Sequence, residues 1–382
     1  MADTSGQQDD ISGQNRLLRP KVRQFFWNGG FLRYSGAILR NCAMPHTYQP
    51  RISASTLSDP LRAVEFMNGD ADRIFQVSGI GPDDLTGEIG LKKFVDFCEH
   101  ASGNLDLPDF GWRVGSVFDL QNLGALGEFI NQAPTLGAAL SLFRNGFSIV
   151  QSDSELQLTI EADRAMLAYK ILDPGIWPRQ QDAELTLAVF HNLIRSAAGP
   201  DWRPELVSLE HESSALPGAC NVGPRCSINF AANANTLVFP ASLLGLPLPG
   251  RVNPAFKEVS QTIASTARQS ERAAPVTVRV RRELLKRIGQ ESFEQTVVSA
   301  ALGMSRRTLR RKLEEEGQKF SRLLAGCRME IAKRMLLTPG TQLHEISERL
   351  GYSEVSAFER AFRQQEGATP SQFRKQFSGG TP

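Results

Sequence analysis

Arg306, Arg307, Arg310 and Arg311 lie within one short stretch of the 382-residue chain, LGMSRRTLRRKLEEEG at 302–317. A guanidinium is a planar fork of donors that can hold phosphate oxygens or bond both acceptors of a guanine edge. On a 3.6-residue helix, Arg307, Arg310 and Arg311 share one arc, opposite Leu309 and Leu313. Arg306 lies off that arc, where phosphate contact suits it. The frame recurs 48 residues further on as LGYSEVSAFERAFRQQEG. Phe358 and Phe362 take the place of the leucines, and Ser356, Glu359 and Arg360 take the place of the arginine arc. Equivalent inner faces with different outer faces suit two readers of different surfaces. Each well-formed arginine–guanine pair provides ~1–3 kcal/mol of discrimination between bases. Glu359 could accept from cytosine N4 or pair with Arg363, and the ion pair is the favoured expectation.

Such side chains need short helices held at fixed angles, and the flanking residues predict them. A helix, a tight turn at Gly and a second helix form a helix-turn-helix. Gly303 and Gly351 supply the turns, and Ser305 and Ser353 are placed to cap the helices that follow. A helix of about 17 residues, SRLLAGCRMEIAKRMLL, joins the two units. Residues 276–377 hold 20 Lys and Arg against 12 Asp and Glu, whereas the rest of the chain holds 23 against 29. A basic module on an acidic body points to a polyanionic partner for the module.

The C-terminal third resembles a known family. GYSEVSAFERAFRQQEGATPSQFR is similar to the second helix-turn-helix and closing helix of the arabinose-regulator (AraC/XylS-type) transcription factors. The resemblance covers nearly the whole module, 276–378. It implies a linking helix that sets two recognition helices in neighbouring major-groove segments of double-stranded DNA. The family's base-reading positions fall on Arg307, Arg310 and Arg311 in the first helix, and on Ser356 and Arg360 in the second, with Glu359 adjacent. One departure is EQTVVSAAL, where many members carry charge before Leu-Gly; it makes the first supporting helix more apolar.

Upstream, the pattern predicts an α+β domain over 53–250. LSDPLRAVEFM, LKKFVDFCEHASG (ending at Gly103), PTLGAALSLFRNGF and AELTLAVFHNLIRSAAG read as helices. ELQLTIEADRAMLAYKILD reads as a hairpin, and LVSLEHES and NTLVFP as short strands. GPDWRPELVSLEHES, PTLGAAL and NTLVFPASLLGLPLPG resemble a sub-branch of the same regulators with an arabinose-binding-like N-terminal domain, typified by ornithine-utilisation regulators. That resemblance implies a domain that senses a small-molecule effector and forms a homodimer; it does not make arabinose the ligand, and it assigns no effector-contacting residue. Residues 251–275 read as a helix from about 253 to 268, then a linker at SERAAP. Phe256, Val259, Ile263 and Ala267 share one face of that helix, either joining two subunits, the favoured alternative, or sealing the N-terminal core. Residues 1–52 show no period and read as a poorly structured extension, with Met44 a natural start and 1–43 dispensable.

Composition narrows the function classes. With 41% hydrophobic and 22% charged residues the chain is of soluble globular type, and no apolar run is long enough to span a membrane. The polar, acidic N-terminus lacks a secretory signal, and the five cysteines form neither a disulfide framework nor a zinc pattern, so a cytoplasmic setting is expected. No P-loop, GxGxxG, GxSxG or HExxH is present, which argues against an enzyme and against a cofactor or metal. His191, on an apolar helix, reads as a core residue. An alkyltransferase fused to the same DNA-binding module would need a Pro-Cys nucleophile and a zinc-binding cysteine set, both absent. A purely architectural DNA-binder would not need a 200-residue domain with its own core. The reading is a sequence-specific transcriptional regulator, an activator that engages RNA polymerase, on a non-palindromic site.

Overall fold

The computed structural model describes residues 48–212, 223, 225–232, 234–287, 293–336 and 341–378. Met44 and the segment 1–43 lie outside them. The chain builds an α+β domain followed by an all-helical one. Strand β1 (Arg51–Ser53) pairs antiparallel with β2 (Glu88–Gly90), with helices α1 (Ser58–Phe66) and α2 (Ala71–Ser78) between them. β1 thus begins inside the stretch read as an extension, and Ile52 is buried. Helices α3 (Leu91–Leu105), α4 (Phe110–Ser116), α5 (Ala125–Ile130) and α6 (Leu136–Val150) follow. α3 runs past the Gly103 stop read from the sequence, to a left-handed cap at Asp106. Thr135 caps α6 by accepting from the Ala138 amide at 3.2 Å.

The main sheet has five strands in the order β3–β4–β7–β5–β6. The hairpin β3 (Ser154–Glu161) and β4 (Arg164–Ile171) appears where the alternation of Leu156 and Leu158 predicts it. β5 (Leu206–Ser208), β6 (Ile228–Asn229) and β7 (Asn235–Pro240) complete the sheet, with β5 and β6 parallel and the other pairs antiparallel. Between β4 and β5 runs α7 (Gln180–Ala198), buried on nearly every side as its composition requires. α4 lies so close to it that a Cβ on Gly111 would sit 2.1 Å from the Gln181 carbonyl oxygen. His191 is buried between Trp112 and Trp202, with ring centroids at 5.7 and 5.4 Å.

Polar groups are buried with this core. Gln151 Nε2 donates to the Tyr169 hydroxyl, which donates to Asp182 Oδ2, both at 2.7 Å. Arg179 Nη2 pairs with Glu210 Oε2 at 2.9 Å. Burial pushes Asp182 up to about 6 and Glu99 to about 7, the latter against a hydrogen bond from the Gln181 amide.

Helix α8 (Phe256–Ala273) leaves the domain and continues through most of SERAAP, which read as linker. Ser, Glu, Arg and Ala all propagate a helix, and Pro275 is the residue that stops it. The α8 stripe seals the N-terminal core: Ile263 and Ala267 are buried, and Ile263 lies where a Cβ on Gly146 of α6 would be 2.8 Å from its Cγ2. Burial of Ile263 and Ala267 favours the core-sealing alternative, while Phe256 and Val259 of the same stripe are half-buried.

The second domain comprises α9 (Val276–Arg287), α10 (Gln295–Ala301), α11 (Arg306–Glu315), α12 (Phe320–Leu336), α13 (Leu343–Arg349), α14 (Val355–Glu366) and α15 (Pro370–Ser378). It has two small cores on one helix. Leu323 and Cys327 of α12 pack with Val280, Leu284, Leu309 and Leu313, while Met329, Ala332 and Met335 pack with Ile346, Phe358 and Phe362. The two domains meet through charge. Arg282 of α9 forks onto Asp153, with Nε–Oδ1 at 2.8 Å and Nη2–Oδ2 at 3.1 Å, and Tyr48 donates to the same carboxylate at 2.7 Å. Arg281 reaches Asp173 at 3.3 Å and Glu330 at 2.8 Å. Arg334 of α12 stacks over Trp177, 4.8 Å from the ring centroid.

Candidate nucleic-acid interface

In the first unit α10 turns into α11 at Gly303, whose φ of +67° favours a residue without a Cβ. Ser305 caps α11, accepting from the Thr308 amide at 3.1 Å. Leu309 and Leu313 are fully buried, and this fixes the opposite side outward. Arg306, Arg307, Arg310 and Arg311 are all exposed there. Two of them are oriented one turn along the helix: Arg310 Nε meets Glu314 Oε1 at 2.8 Å, and Arg311 Nη1 meets Glu315 Oε1 at 2.6 Å. Exposed pairs of this kind are weak and salt-sensitive, so a better acceptor can displace the glutamates. Arg306 and Arg307 form no ion pair among the described residues.

The second unit repeats the frame with one more residue in the turn. Gly351 has φ +70°, but α14 starts at Val355 with Glu354 at its N-cap. Ser353 makes no cap bond, which corrects the expectation drawn from the first copy; the extra residue moves it off the cap position. Glu354 instead accepts from the Ser356 hydroxyl at 2.9 Å. Ser356 and Arg360 are exposed and Glu359 is half-buried beside them. Among the described residues no ion pair joins Glu359 to Arg363, so the favoured salt bridge is also corrected. Phe358 and Phe362 are fully buried, in edge contact at 5.8 Å.

The supporting side chains were not anticipated. Arg328 of α12 lies between the rings of Phe293 and Tyr352, at 5.1 and 4.8 Å, and donates to the Gly351 carbonyl at 3.3 Å. One side chain of the linking helix thus grips the turn of the second unit. Lys333 pairs with Glu366 at 2.6 Å, and Arg374 of α15 donates to the carbonyls of Leu336 and Thr341 at 2.8 and 2.7 Å. In the first unit, Glu316 caps α9 by accepting from the amides of Val276 and Thr277 at 2.7 and 2.8 Å. Burial would raise its pKa, but the hydrogen bonds from Thr277 and Val276 prevail and hold it below the ordinary value. Each of these contacts joins residues far apart in the chain, so no local pattern announces them.

Two rigid helix-turn-helix units on one linking helix, with a basic outer face, define a DNA-binding module. Two family models and the similar sequences agree. The model of the arabinose-binding domain of AraC transcription regulator, N-term, matches residues 69–248, and that of a helix-turn-helix domain matches 298–376. The HTH-type transcriptional regulator VirS of Mycobacterium tuberculosis is 31% identical over 296 residues, covering 75% of this chain and 84% of VirS. The ornithine utilization regulator of Pseudomonas aeruginosa is 25% identical over 307 residues, covering 79% of this chain and 90% of its own. The crystal structure of the transcriptional regulator CdpR from P. aeruginosa aligns with 80% of this chain and 96% of that one, at 22% identity and a TM-score of 0.39. The chain belongs to the AraC family of transcriptional regulators and is a DNA-binding regulator. These relatives are regulators rather than enzymes. No helix among the described residues is long and apolar enough to cross a membrane.

Proposed function

We propose that the protein is a cytoplasmic transcriptional activator that reads a non-palindromic site with α11 and α14, under the control of a small-molecule effector bound to its N-terminal domain. The observation that carries this reading is the pair of unlike outer faces, Arg307–Arg310–Arg311 and Ser356–Glu359–Arg360, each set outward by a buried pair on the opposite side. In this reading Arg307, Arg310 and Arg311 contact guanines, Arg306 contacts a phosphate, and Ser356 and Arg360 read the second half. Neighbouring major-groove entries lie about 34 Å or 10 bp apart, so one subunit covers roughly 15–20 bp. A homodimer would favour two such sites as direct repeats, and activation follows from contact with RNA polymerase.

Selection of bound duplexes from a random pool, followed by footprinting, tests the proposal. The expected outcome is an asymmetric half-site, guanine-rich where α11 lies. A single symmetric site with the protected length of one helix-turn-helix would contradict it. Transcription in vitro from the selected site, with and without the protein, decides the sign of regulation, and sedimentation equilibrium decides the dimer.

A further inference from the structure

The groove between α6 and α8 changes character along its length. One part, about 380 Å³, is lined by Ala138, Leu142, Phe256 and Ala264, with Ser260 among them. At Arg268 it adjoins a second part of about 270 Å³, lined by Arg144, Ser148, Ser154, Glu271 and Lys286. Asn145, Ala264 and Arg268 belong to both. One part is therefore mostly apolar and the other carries three cations against a single carboxylate.

Those cations are poorly neutralised. Arg268 forms no ion pair among the described residues, and Arg144 makes a 3.4 Å bond to the Asn145 side chain. The nearest carboxylate to Lys286 is Glu155, at 3.7 Å. The Ser260 hydroxyl of the apolar part is enclosed by protein and has no hydrogen-bond partner among the described residues. The cavity beside Asp182 and Phe190 is only about 40 Å³, far below the roughly 300–1,000 Å³ of ordinary ligand sites.

We propose that this groove binds a small amphipathic carboxylate, its anionic group among Arg144, Arg268 and Lys286 and its apolar body along Leu142, Phe256 and Ala264. The site spans three parts of the molecule, since Arg144 belongs to α6, Arg268 to α8 and Lys286 to α9 of the DNA-binding domain. A carboxylate held there draws Lys286 from Glu155 and ties the first helix of the DNA-binding domain to the sensing domain. That consequence deepens the effector reading above and rests on it; the binding itself does not.

Calorimetric titration of the full chain tests the site, with 4-phenylbutyrate as the probe and 4-phenylbutan-1-ol as its uncharged counterpart. The carboxylate should bind saturably and the alcohol at least about tenfold more weakly, the scale of one charge-assisted hydrogen bond. Arg268→Gln and Lys286→Gln, made separately so that misfolding of one does not decide the matter, should each weaken carboxylate binding by about tenfold and leave the alcohol unchanged. Equal affinity for both probes, no saturation by about 10 mM phenylbutyrate, or binding unaffected by both variants would overturn the proposal. DNA binding by the same preparations separates the two readings. A protein that binds its selected duplex but not the carboxylate loses only this site, and one that binds the carboxylate but no specific duplex loses only the regulator reading.

Discussion

Arg310 and Arg311 each have a glutamate four residues on, whereas Arg307 faces Arg311 at that spacing. The two paired guanidiniums are pre-aimed along the helix yet remain largely in solvent, so base acceptors compete with a weak partner rather than a buried one. Glu99 shows the opposite situation. It is half-buried near Asp182, Glu184 and His211, and its desolvation there lifts its pKa to about 7 from the ordinary value of 4.5. Between those values the folded protein binds a proton that the unfolded chain has released, so stability falls as pH rises through that window and is level above it. Glu99→Gln can keep an acceptor for the Gln181 amide, which now bonds Glu99 Oε1 at 2.7 Å, and abolishes the titration. Relative to wild type, it should stabilise the N-terminal domain by roughly 1–3 kcal/mol at pH 8 and by little at pH 5. Urea denaturation at the two pH values checks this, and an equal effect at both would contradict it.

At the scale of elements, each recognition helix depends on a turn that only a few residues can make. Gly351 combines φ +70° with the Phe293 ring 3.0 Å from where a Cβ would stand. Gly351→Ala should therefore cost about 1–2 kcal/mol from backbone strain alone and lower the melting temperature of the second domain; an unchanged melt would contradict the assigned turn. Ile263→Asp tests α8. Because Ile263 seals the core, a buried carboxylate there should destabilise the N-terminal domain by roughly 3 kcal/mol or more, seen as an early thermal transition. A well-folded monomer formed from a dimeric wild type would return α8 to the subunit interface. The helices of the second domain could be read in advance because every one carries its own period and its turns carry Gly. In the first domain the hairpin, α6 and α7 were equally plain. β1, β2 and β6 were not, since strands of two or three residues have no period of their own; β5 is as short but lies in the longer stretch LVSLEHES, which reads as a strand. α4 was missed for a different reason: Gly111 and Gly115 argue locally against a helix, and only the closeness of α7 explains them. The arginine arc was correctly placed outward by periodicity, while Arg328, Lys333 and Glu316 act through contacts that no local pattern records.

For the whole molecule, the docking of the two domains turns on few side chains. Asp153 is almost fully buried and takes both arms of Arg282 together with the Tyr48 hydroxyl. Asp153→Asn keeps the shape and removes the charge, and should weaken that contact by roughly 1–3 kcal/mol. Faster hydrogen exchange along α9, with exchange in α14 unchanged, is the expected result; unaltered α9 exchange would mean that Arg282 does not hold the domains together. The central claim is that one chain reads two different half-sites. It is tested most directly by titrating labelled duplexes with wild type, Arg310→Ala, Arg311→Ala, Arg306→Ala and Arg360→Ala at several salt concentrations, on the selected site and on versions altered in one half. Arg310→Ala and Arg311→Ala should weaken specific binding roughly tenfold to a hundredfold and erase discrimination in the α11 half alone, and Arg360→Ala should do so in the α14 half. Arg306→Ala should weaken all duplexes alike and reduce the salt slope by about one unit. If instead the α11 variants lose affinity equally for every duplex, that helix is only an anchor and the two-reader account is wrong.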